Sequence, residues 1–391
     1  MSNAYVLAAY RTAATKAYKG HFRDTRPDDL AAAAIKGLLE RTGVDPAQVE
    51  DVILGCAFPE AEQGMNMARI ASFKAGLPYQ VPAQTVNRFC SSGLQTIASA
   101  AERIMAGFAD CIVAGGAESM SMIPMGGEKF APNPGLIAGW PETYAAMGVT
   151  AEILVSRYGI AREEQDRFAL ESHRKAADAI ASGRFDEEII PVEAERCAVE
   201  GGKPRCRKEL VTADDGVRSD TTLEALAKLK PAFKASGTVT AGNSSQMTDG
   251  AAAALVVSEE FLKRIGKKPM ARFLGYSVKG VPPEVMGIGP IEAIPALLAR
   301  SGVQQEEVGL IELNEAFAVQ SLICIRELGL DPAKINVNGG AIALGHPLGC
   351  TGTKLTATIL HEMRRRGTRY GVVSMCVGGG MGAAGLFELV K

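Results

Sequence analysis

The chain repeats part of its own sequence at a fixed offset of 259 residues. Residues 37–58 read GLLERTGVDPAQVEDVILGCAF and residues 296–317 read ALLARSGVQQEEVGLIELNEAF, with nine of 22 positions identical. Each copy has the pattern of a helix, a glycine turn and a buried strand. The same offset aligns Gly93 with Gly352, and each glycine leads into an amphipathic helix and then an apolar strand. The repeat predicts two similar α/β halves.

A long insertion distinguishes the two halves. In the second half, glycines 378–380 are followed almost at once by the strand GAAGLFELV, which starts at Gly382. In the first half, the insertion separates glycines 115–116 from the similar strand GAAAALVV, which starts at Gly250. An insertion of this length is more often a functional cap than a surface decoration, which is the alternative.

These features divide the chain into three parts. The alternation of helices with short apolar strands indicates an α/β fold with mainly parallel sheets covered by helices. We assign the parts as follows: the first half is 1–116 plus 250–270, the insertion is 117–249, and the second half is 271–391.

Composition excludes several classes of protein. The net charge is −2 with no basic block, so we expect no nucleic-acid partner. There is no run of about 18 apolar residues, so we expect no membrane span. The start of the chain has no signal-peptide pattern, and the eight cysteines show neither disulfide nor metal-ligand spacing. Cys197 and Cys206 flank a polar loop without a matching pair, so we expect a reducing, cytoplasmic setting and no metal.

Cys90 is the first candidate for chemistry. It lies in VNRFCSSGLQT, between a predicted buried strand over 83–87 and a helix pattern that begins just after it. Ser91, Ser92 and Gly93 are residue types that open or cap helices. A thiol at a helix start faces unpaired backbone N–H groups, which lower its pKa and favour the nucleophilic thiolate. The alternative is a small core residue, which most single cysteines are.

Asn314 is a polar residue at the matching place in the second half. It follows the strand LIEL and precedes a helix, so it emerges at the carboxyl edge where α/β sheets bind ligands. In the first copy this position is Gly55, so the halves share a scaffold but not their chemistry. The alternative is that Asn314 caps the following helix.

His346 lies in the glycine-rich turn GHPLG, three residues before Gly349, which pairs with Cys90 in the repeat. Pseudo-twofold halves place His346 and Cys90 at the same edge, where an imidazole takes a thiol proton or stabilises a thiolate. The alternative is a loop histidine satisfied by backbone groups. The remaining histidines are assigned to a charged loop and to charged helix surfaces: His21, then His173 and His361.

Cys376 ends the strand YGVVSM and precedes three glycines. Glycines let the backbone approach a ligand closely and present N–H groups to an anion, which suits an oxyanion. The alternative is a strand cysteine before a turn. That structural role is predicted for four others: Cys56, Cys111, Cys324 and Cys350.

Together these segments resemble the thiolase family over nearly the whole chain. The matching runs, in order, are FCSSG around Cys90, NEAFA at 314–318, GHPLG at 345–349 and CVGGGMG at 376–382. The resemblance implies αβαβα layers around paired central helices, with an inserted loop domain that covers the active site and binds coenzyme A. It also implies coenzyme A and acyl-CoA as substrates, no permanently bound cofactor, and a homodimer or homotetramer.

The resemblance implies a role for each motif residue. Cys90 attacks a 3-ketoacyl-CoA, releases acetyl-CoA and keeps an acyl thioester that coenzyme A collects; acetylated Cys90 serves the reverse condensation. His346 activates Cys90, and Cys376 moves the proton at the α-carbon. Asn314 holds a water that forms one oxyanion hole with His346. The N–H groups of Cys90 and Gly378 form the other.

Two residues of the insertion are implied as coenzyme A contacts. Arg218, in GVRSDTT, is expected to pair with an anionic part of the coenzyme, and Ser245, in NSSQM, to contact it. The alternatives are a solvated surface arginine and a helix-capping serine.

The flank of Cys90 bears on the subtype. NRFCSSGLQ resembles degradative 3-ketoacyl-CoA thiolases more than biosynthetic acetoacetyl-CoA thiolases, which tend to carry CGSG. Phe89, where Gln or Leu is frequent, departs from both. The alternatives are a biosynthetic thiolase, a β-ketoacyl synthase, which is expected to carry a second histidine in place of Cys376, and a non-catalytic acyl-CoA-binding protein.

Overall fold

The computed structural model describes residues 3–201 and 203–390. Its strands are β1 (Ala4–Arg11), β2 (Thr15–Lys16), β3 (Asp51–Gly55), β4 (Ala83–Val86), β5 (Cys111–Ser119), β6 (Val192–Glu200), β7 (Lys203–Val211), β8 (Thr248–Ser258), β9 (Ala271–Gly280), β10 (Val308–Leu313), β11 (Tyr370–Val377) and β12 (Met381–Leu389). Its helices are α1 (Pro27–Thr42), α2 (Met67–Lys74), α3 (Ser92–Met105), α4 (Pro134–Gly139), α5 (Met147–Tyr158), α6 (Arg162–Ala181), α7 (Leu223–Ala227), α8 (Glu259–Ile265), α9 (Gly289–Ser301), α10 (Ala318–Glu327), α11 (Ala341–Leu344) and α12 (Leu348–Arg366). Within these described residues, no helix is long and apolar enough to cross a membrane.

The described strands form a ten-stranded mixed sheet and a separate hairpin. The sheet order is β10-β11-β12-β9-β1-β8-β5-β3-β4, with β2 paired to β8. Pairing is parallel for β10–β11, β3–β4 and β3–β5, and antiparallel for β1–β8, β1–β9, β5–β8, β9–β12 and β11–β12. The expectation of mainly parallel sheets is therefore wrong. The short turn over 378–380 is one reason, because a tight connection between neighbouring strands forces antiparallel pairing.

The two halves of the sheet have equivalent strand orders. Reading outward from the middle, the first half runs β1, β8, β5, β3 and the second runs β9, β12, β11, β10. The halves join where Ala4–Val6 of β1 pairs with Ala271–Phe273 of β9. This correspondence confirms the predicted duplication. Strands β8 and β12, the two apolar strands that begin with glycine in the sequence repeat, occupy equivalent positions in the two halves.

Helices α3 and α12 pack against each other between the two halves. Thr353 Oγ1 donates to Gly93 O at 2.9 Å. A Cβ added at Gly93 lies 2.8 Å from Thr353 N, and one added at Gly352 lies 2.1 Å from Leu94 N, so the helices approach at glycines. Helices α1 and α2 cover the outer face of the first half, and α9 covers that of the second. These are the predicted αβαβα layers.

The segment between β5 and β8 contains α4 to α7 and the hairpin β6–β7. It is fastened to the first half by Arg11, whose Nε lies 2.5 Å from Glu188 and whose Nη1 lies 2.7 Å from Asp214. All three side chains are buried, and removing one partner of such a pair costs about 3–5 kcal/mol. The attachment fixes the segment at the end of β1, whose last residue is Arg11. The boundary at 117–249 stays an interpretation.

Cys197 and Cys206 form a disulfide across the hairpin β6–β7. The expectation that these cysteines are unpaired is wrong, because the antiparallel register brings residues nine positions apart directly opposite each other. Glu195 places a carboxylate oxygen within 4.8 Å of both sulfurs. Sulfurs joined to each other do not offer the thiolates that metals bind. The absence of a metal site stays a prediction.

Two histidines assigned to helix surfaces are buried instead. His173 on α6 is 4% exposed and His361 on α12 is 6% exposed. Burial lowers the pKa of His173 to about 4 and also lowers the pKa of His361. His361 donates from Nε2 to Ala9 O at 3.3 Å. The surface assignment is wrong for His361 because α12 lies between the two halves of the sheet, where His361 is buried.

The strand before Cys90 is less buried than its sequence indicates. The predicted buried strand over 83–87 is β4, Ala83–Val86, whose residues are half-buried or exposed. It pairs only with β3 in the described structure and forms the edge of the sheet. An edge position explains the exposure, and the prediction of burial is wrong.

Candidate active site

Cys90 lies in a short 3-10 helix, Phe89–Ser91, that connects β4 to α3. Phe89 has a φ of 42°, in the left-handed region that residues with a Cβ rarely adopt. Ser92 holds this turn, since its Oγ accepts from Arg88 N at 2.9 Å and donates to Phe89 O at 2.7 Å. As predicted, Ser91 is the N-cap residue of α3 and Ser92 and Gly93 lie in its first turn, although Ser91 makes no side-chain capping bond. Ser92 therefore holds the turn that carries Cys90, while the Ser91 hydroxyl lies 3.0 Å from Tyr276 Oη.

The Cys90 thiol is neutral in this environment. Its side chain packs among Ala57, Met120 and Leu348, and the residue is 9% exposed. Burial raises the pKa of Cys90 to about 11, although the backbone N–H groups of Gly378 and Cys90 itself act in the opposite direction. The expectation of a lowered pKa is wrong because desolvation outweighs the N–H donors. Those donors are present, as the helix-start argument predicts.

Cys376 and Gly378 lie beside Cys90 at the end of β11. Cys376 is fully buried, and burial raises its pKa well above the ordinary value, with Cys90 acting in the same direction. A Cβ added at Gly378 lies 3.5 Å from Met147 Sδ and 3.8 Å from Phe89 Cδ2. Met147 begins α5, so the segment between β5 and β8 reaches this group of thiols. Two cysteines and a backbone N–H therefore meet under its cover.

His346 lies 3.3 Å from Asn314, measured between Nε2 and Nδ2. Its other ring nitrogen, Nδ1, lies 2.5 Å from Thr351 Oγ1. The Thr351 hydroxyl donates its single proton to Pro347 O at 2.9 Å. The hydroxyl can therefore only accept from the ring, which places the proton on Nδ1 and leaves the Nε2 lone pair to accept.

Burial keeps the imidazole of His346 neutral. The residue is 4% exposed, and burial lowers its pKa to about 3, with the charge of Lys354 acting in the same direction. A neutral imidazole with Nε2 as acceptor is the form that takes a proton from a thiol. The environment therefore keeps both the imidazole and the Cys90 thiol neutral, and Leu348, two residues after His346, packs against Cys90.

Asn314 is held by its backbone and not by helix capping. Its N–H donates to Ser374 O at 2.9 Å, which ties β10 to β11. Phe317 is the N-cap residue of α10, so the capping alternative for Asn314 is wrong. Asn314 Oδ1 is buried and has no hydrogen-bond partner among the described residues. A buried polar atom of this kind is a binding position for a water or a substrate atom.

Ser245 lies between the motif loops. Its N–H donates to Ala316 O at 2.9 Å, two residues after Asn314. The next residue, Gln246, accepts at its backbone O from His346 N at 3.2 Å. Ser245 is half-buried and does not cap a described helix, so the capping alternative is wrong.

Arg218 is exposed and lies near the same loops. Its backbone N–H donates to His173 Nδ1 at 3.2 Å. The side chain of Gln246 donates to Gly216 O at 2.9 Å and to Ile342 O at 2.9 Å, which joins the loop before Arg218 to the turn before His346. The structure therefore brings the segments of both predicted coenzyme A contacts to the motif loops, with Arg218 at the surface.

Two domain families together match almost the whole chain. Residues 4–260 match "Thiolase, N-terminal domain" and residues 267–389 match "Thiolase, C-terminal domain". The chain belongs to the thiolase family. The resemblance inferred from the four motifs is confirmed.

Curated relatives of this thiolase match along their full length or nearly so. The chain is 55% identical over 390 residues to the 3-ketoacyl-CoA thiolase of Bacillus subtilis, covering 100% of both chains. It is 46% identical to the peroxisomal 3-ketoacyl-CoA thiolase of Homo sapiens, covering 98% of this chain and 90% of that protein.

Solved structures show the same fold. The acetyl-CoA acetyltransferase of Bacillus anthracis superposes with a TM-score of 0.90 at 41% identity, covering 100% of this chain and 99% of the other. The human mitochondrial 3-ketoacyl-CoA thiolase superposes with a TM-score of 0.90 at 39% identity, with the same coverage.

Three residues of this thiolase site escape sequence reasoning. Thr351 sets the tautomer of His346, Gln246 joins the loops, and the amide of Gln320 lies 3.2 Å from Cys376 Sγ. Thr351 follows the GHPLG turn by two positions, and Gln320 follows NEAFA by two. Thr351 and Gln320 share one pattern that could have indicated them from the sequence: each is a polar residue near the start of a buried helix that begins at a motif.

Proposed function

We propose that this thiolase cleaves 3-ketoacyl-CoA with coenzyme A to give acyl-CoA and acetyl-CoA, and catalyses the reverse condensation, through an acyl thioester on Cys90. The observation that carries the proposal is the meeting of Cys90 and Cys376 at the Gly378 N–H. Two thiols suit a reaction that forms a thioester at one carbon and moves a proton at the next. The names of the Bacillus subtilis and human relatives support this substrate class.

The first step uses Cys90 as the nucleophile and His346 as the base. The Cys90 proton passes to His346 Nε2, and the sulfur forms a bond to the ketone carbon of the substrate. The carbon–carbon bond to the α-carbon then breaks, and its electron pair stays on the acetyl-CoA fragment. Since the pKa of Cys90 is raised to about 11, the base is needed at neutral pH.

Cys376 transfers the proton at the α-carbon. In cleavage its thiol gives a proton to the acetyl-CoA carbanion, and in condensation its thiolate removes that proton. Burial raises the pKa of Cys376, so the thiol keeps its proton until a strong base forms beside it. This property suits the acid role directly, whereas the base role needs a group that stabilises the thiolate.

Two sets of donors stabilise oxygen charge in this proposal. The N–H groups of Cys90 and Gly378, which lie close enough to Cys90 Sγ to act on its pKa, are the first set. A water held by Asn314, whose Oδ1 has no partner among the described residues, forms the second with His346. Loss of one such donor commonly costs about 100- to 1,000-fold in rate.

Coenzyme A completes the cycle as a second substrate. Its thiol gives a proton to the Cys376 thiolate left by the cleavage step and attacks the acyl thioester. Acyl-CoA is released, and the departing Cys90 thiolate takes back the proton held on His346, which restores all three groups. Arg218 is proposed to pair with an anionic part of the coenzyme and Ser245 to contact it, because their segments adjoin the His346 loop. No permanently bound cofactor is part of the proposal. A homodimer or homotetramer and a cytoplasmic location stay predictions.

A second candidate is a biosynthetic acetyl-CoA acetyltransferase. The name of the Bacillus anthracis structure favours it, and so does the bulk of Phe89 beside Cys90 and Gly378. The two candidates differ in the length of acyl chain that they accept rather than in the chemistry at Cys90.

The experiment is a series of 3-ketoacyl-CoAs of increasing chain length, assayed for coenzyme A-dependent cleavage. Activity on long chains supports the degradative enzyme, and activity on acetoacetyl-CoA alone supports the second candidate. Cys90→Ser is expected to remove activity, and full activity in that variant contradicts the proposal. Cys376→Ser is expected to keep partial acylation while proton transfer slows.

A further inference from the structure

The side-chain amide of Gln320 lies between Cys376 and Asn314. Gln320 is fully buried in the first turn of α10. One end of its amide is 3.2 Å from Cys376 Sγ and 3.1 Å from Asn314 O. The other end is 2.7 Å from Ser321 N and 2.9 Å from Ser321 Oγ. The proposed acyl-transfer machinery does not yet use this residue.

The surroundings decide which way this amide points. Asn314 O can only accept a hydrogen bond, and the backbone N–H of Ser321 can only donate one. The amide nitrogen of Gln320 therefore faces Asn314 O, and its oxygen accepts from Ser321. The opposite orientation, in which the oxygen accepts the Cys376 thiol proton, places two acceptors together and leaves the Ser321 N–H facing a donor.

An amide nitrogen carries two protons, and two acceptors lie within reach of it. One N–H of Gln320 points to Asn314 O, and the nitrogen is 3.2 Å from Cys376 Sγ in the orientation that the surroundings require. A sulfur accepts weakly as a thiol and more strongly as a thiolate. The second N–H is therefore placed to strengthen its bond when Cys376 loses its proton.

We propose that Gln320 is a positioning residue that donates an N–H···S hydrogen bond to Cys376 and so stabilises its thiolate when it takes the α-proton of acetyl-CoA. This inference rests on the proposed function of the site. The other N–H of the same amide donates to Asn314 O. One side chain fixes the ends of β10 and β11, which carry the two groups.

The rest of the environment opposes a thiolate at Cys376. The pKa of Cys376 is raised by burial first, and then by the thiols of Cys90 and of Cys324 on α10. His346 stays neutral because its pKa is lowered to about 3, so it supplies no positive charge. Against these groups stand the backbone N–H of Cys376 and the Gln320 amide. A base role for Cys376 therefore depends on these donors.

Two variants of similar shape and opposite chemistry test the proposal. Gln320→Met fills the space without an N–H, and Gln320→Glu places an acceptor at the same point. Ser321→Ala is the matched control, because it removes a hydroxyl from the other end of the amide and keeps the Ser321 N–H. Each protein is assayed in deuterated water for exchange of the acetyl-CoA α-protons across pH. The rate of Cys90 acylation by acetyl-CoA is measured on the same samples.

The expected result separates proton transfer from acylation. In Gln320→Met, α-proton exchange falls about 10- to 100-fold, and its pH profile moves to higher pH by about one to two units. In Gln320→Glu the shift is larger, since a carboxylate faces the thiolate. Acylation of Cys90 falls less than exchange in both variants, because Asn314 keeps its backbone bond to Ser374 O. Ser321→Ala leaves the exchange profile in place.

Other outcomes overturn the proposal. If the pH profile of α-proton exchange is unshifted in both Gln320 variants, Gln320 does not stabilise the Cys376 thiolate through an N–H···S bond. Equal loss of acylation and exchange assigns Gln320 a purely structural role, which also contradicts it. If wild-type protein neither acylates Cys90 nor cleaves 3-ketoacyl-CoA, the proposed function itself fails, and that result is distinct from both.

Discussion

Thr351 holds the imidazole of His346 in the tautomer that leaves Nε2 as an acceptor. Its Oγ1 lies 2.5 Å from His346 Nδ1 and donates to Pro347 O at 2.9 Å. Thr351→Val keeps the shape of the side chain and removes both bonds, so the ring loses its preferred tautomer and orientation. We expect kcat/KM for cleavage to fall about 10- to 100-fold.

Thr356→Val is the matched control for this prediction. Thr356 is a buried threonine of the same helix whose hydroxyl donates to Gly352 O at 2.8 Å. It makes the same kind of bond to a carbonyl four residues earlier, so its loss costs similar stability. If both variants lose activity equally, the tautomer argument is wrong.

The raised pKa of Cys90 predicts a steep pH dependence of its alkylation by iodoacetamide. The thiolate is the reactive form, and the pKa of about 11 lies above neutral, so reactivity rises with pH. We expect the rate of Cys90 labelling to rise about tenfold per pH unit between about pH 7 and 10. Labelling is followed by peptide mass spectrometry, with Cys90→Ser as the control. A plateau near pH 7 contradicts the account, because it indicates a thiolate–imidazolium pair.

Gly378 is expected to act through its N–H and not through the lack of a side chain. A Cβ there meets its neighbours at 3.5 Å or more, which is ordinary contact. Gly378→Ala is therefore expected to fold normally and to keep activity within about tenfold. Gly380→Ala is the contrast, since its Cβ lies 2.2 Å from Val281 O and its φ is 84°. We expect Gly380→Ala to lower the free energy of unfolding by about 2–4 kcal/mol.

Denaturant unfolding and the cleavage assay check these two glycines together. Severe loss of activity in well-folded Gly378→Ala means that the added methyl group occupies substrate space, and the N–H argument alone is then insufficient. Normal stability of Gly380→Ala contradicts the packing argument.

Arg218 is expected to affect the binding of coenzyme A more than the chemistry. Its guanidinium is exposed, while its backbone is held by His173. We expect Arg218→Ala to raise KM for coenzyme A about tenfold, with kcat within about twofold. Lys230→Ala removes another exposed cation of the same segment and serves as the control. If both variants raise KM for coenzyme A equally, only the overall positive charge of this surface affects binding. If KM is unchanged in Arg218→Ala, Arg218 does not contact coenzyme A.

The architecture was predictable from the sequence because it is encoded locally. The repeat at 37–58 and 296–317 shows in residue types, and it corresponds to equivalent strands beside equivalent central helices. The alignment of Gly93 with Gly352 marks where α3 and α12 approach each other. The positions of the motif residues follow from strand ends, which periodicity reveals.

The electrostatics of the site were not predictable, since they depend on distant contacts. The pKa of Cys90 is raised by burial among Ala57, Met120 and Leu348, which come from three other segments. A helix-start argument sees the N–H donors and misses this desolvation. The disulfide between Cys197 and Cys206 depends in the same way on the register of a hairpin.

The most direct measurement of the central claim is the trapping of the acyl-enzyme. Purified protein is mixed with acetyl-CoA, quenched in acid and digested, and the peptides are analysed by mass spectrometry. The account predicts one acetyl group on the peptide that carries Cys90, removed by a chase with coenzyme A and absent in Cys90→Ser. An acetyl group on Cys376 instead, or turnover with an unmodified Cys90 throughout, contradicts the account.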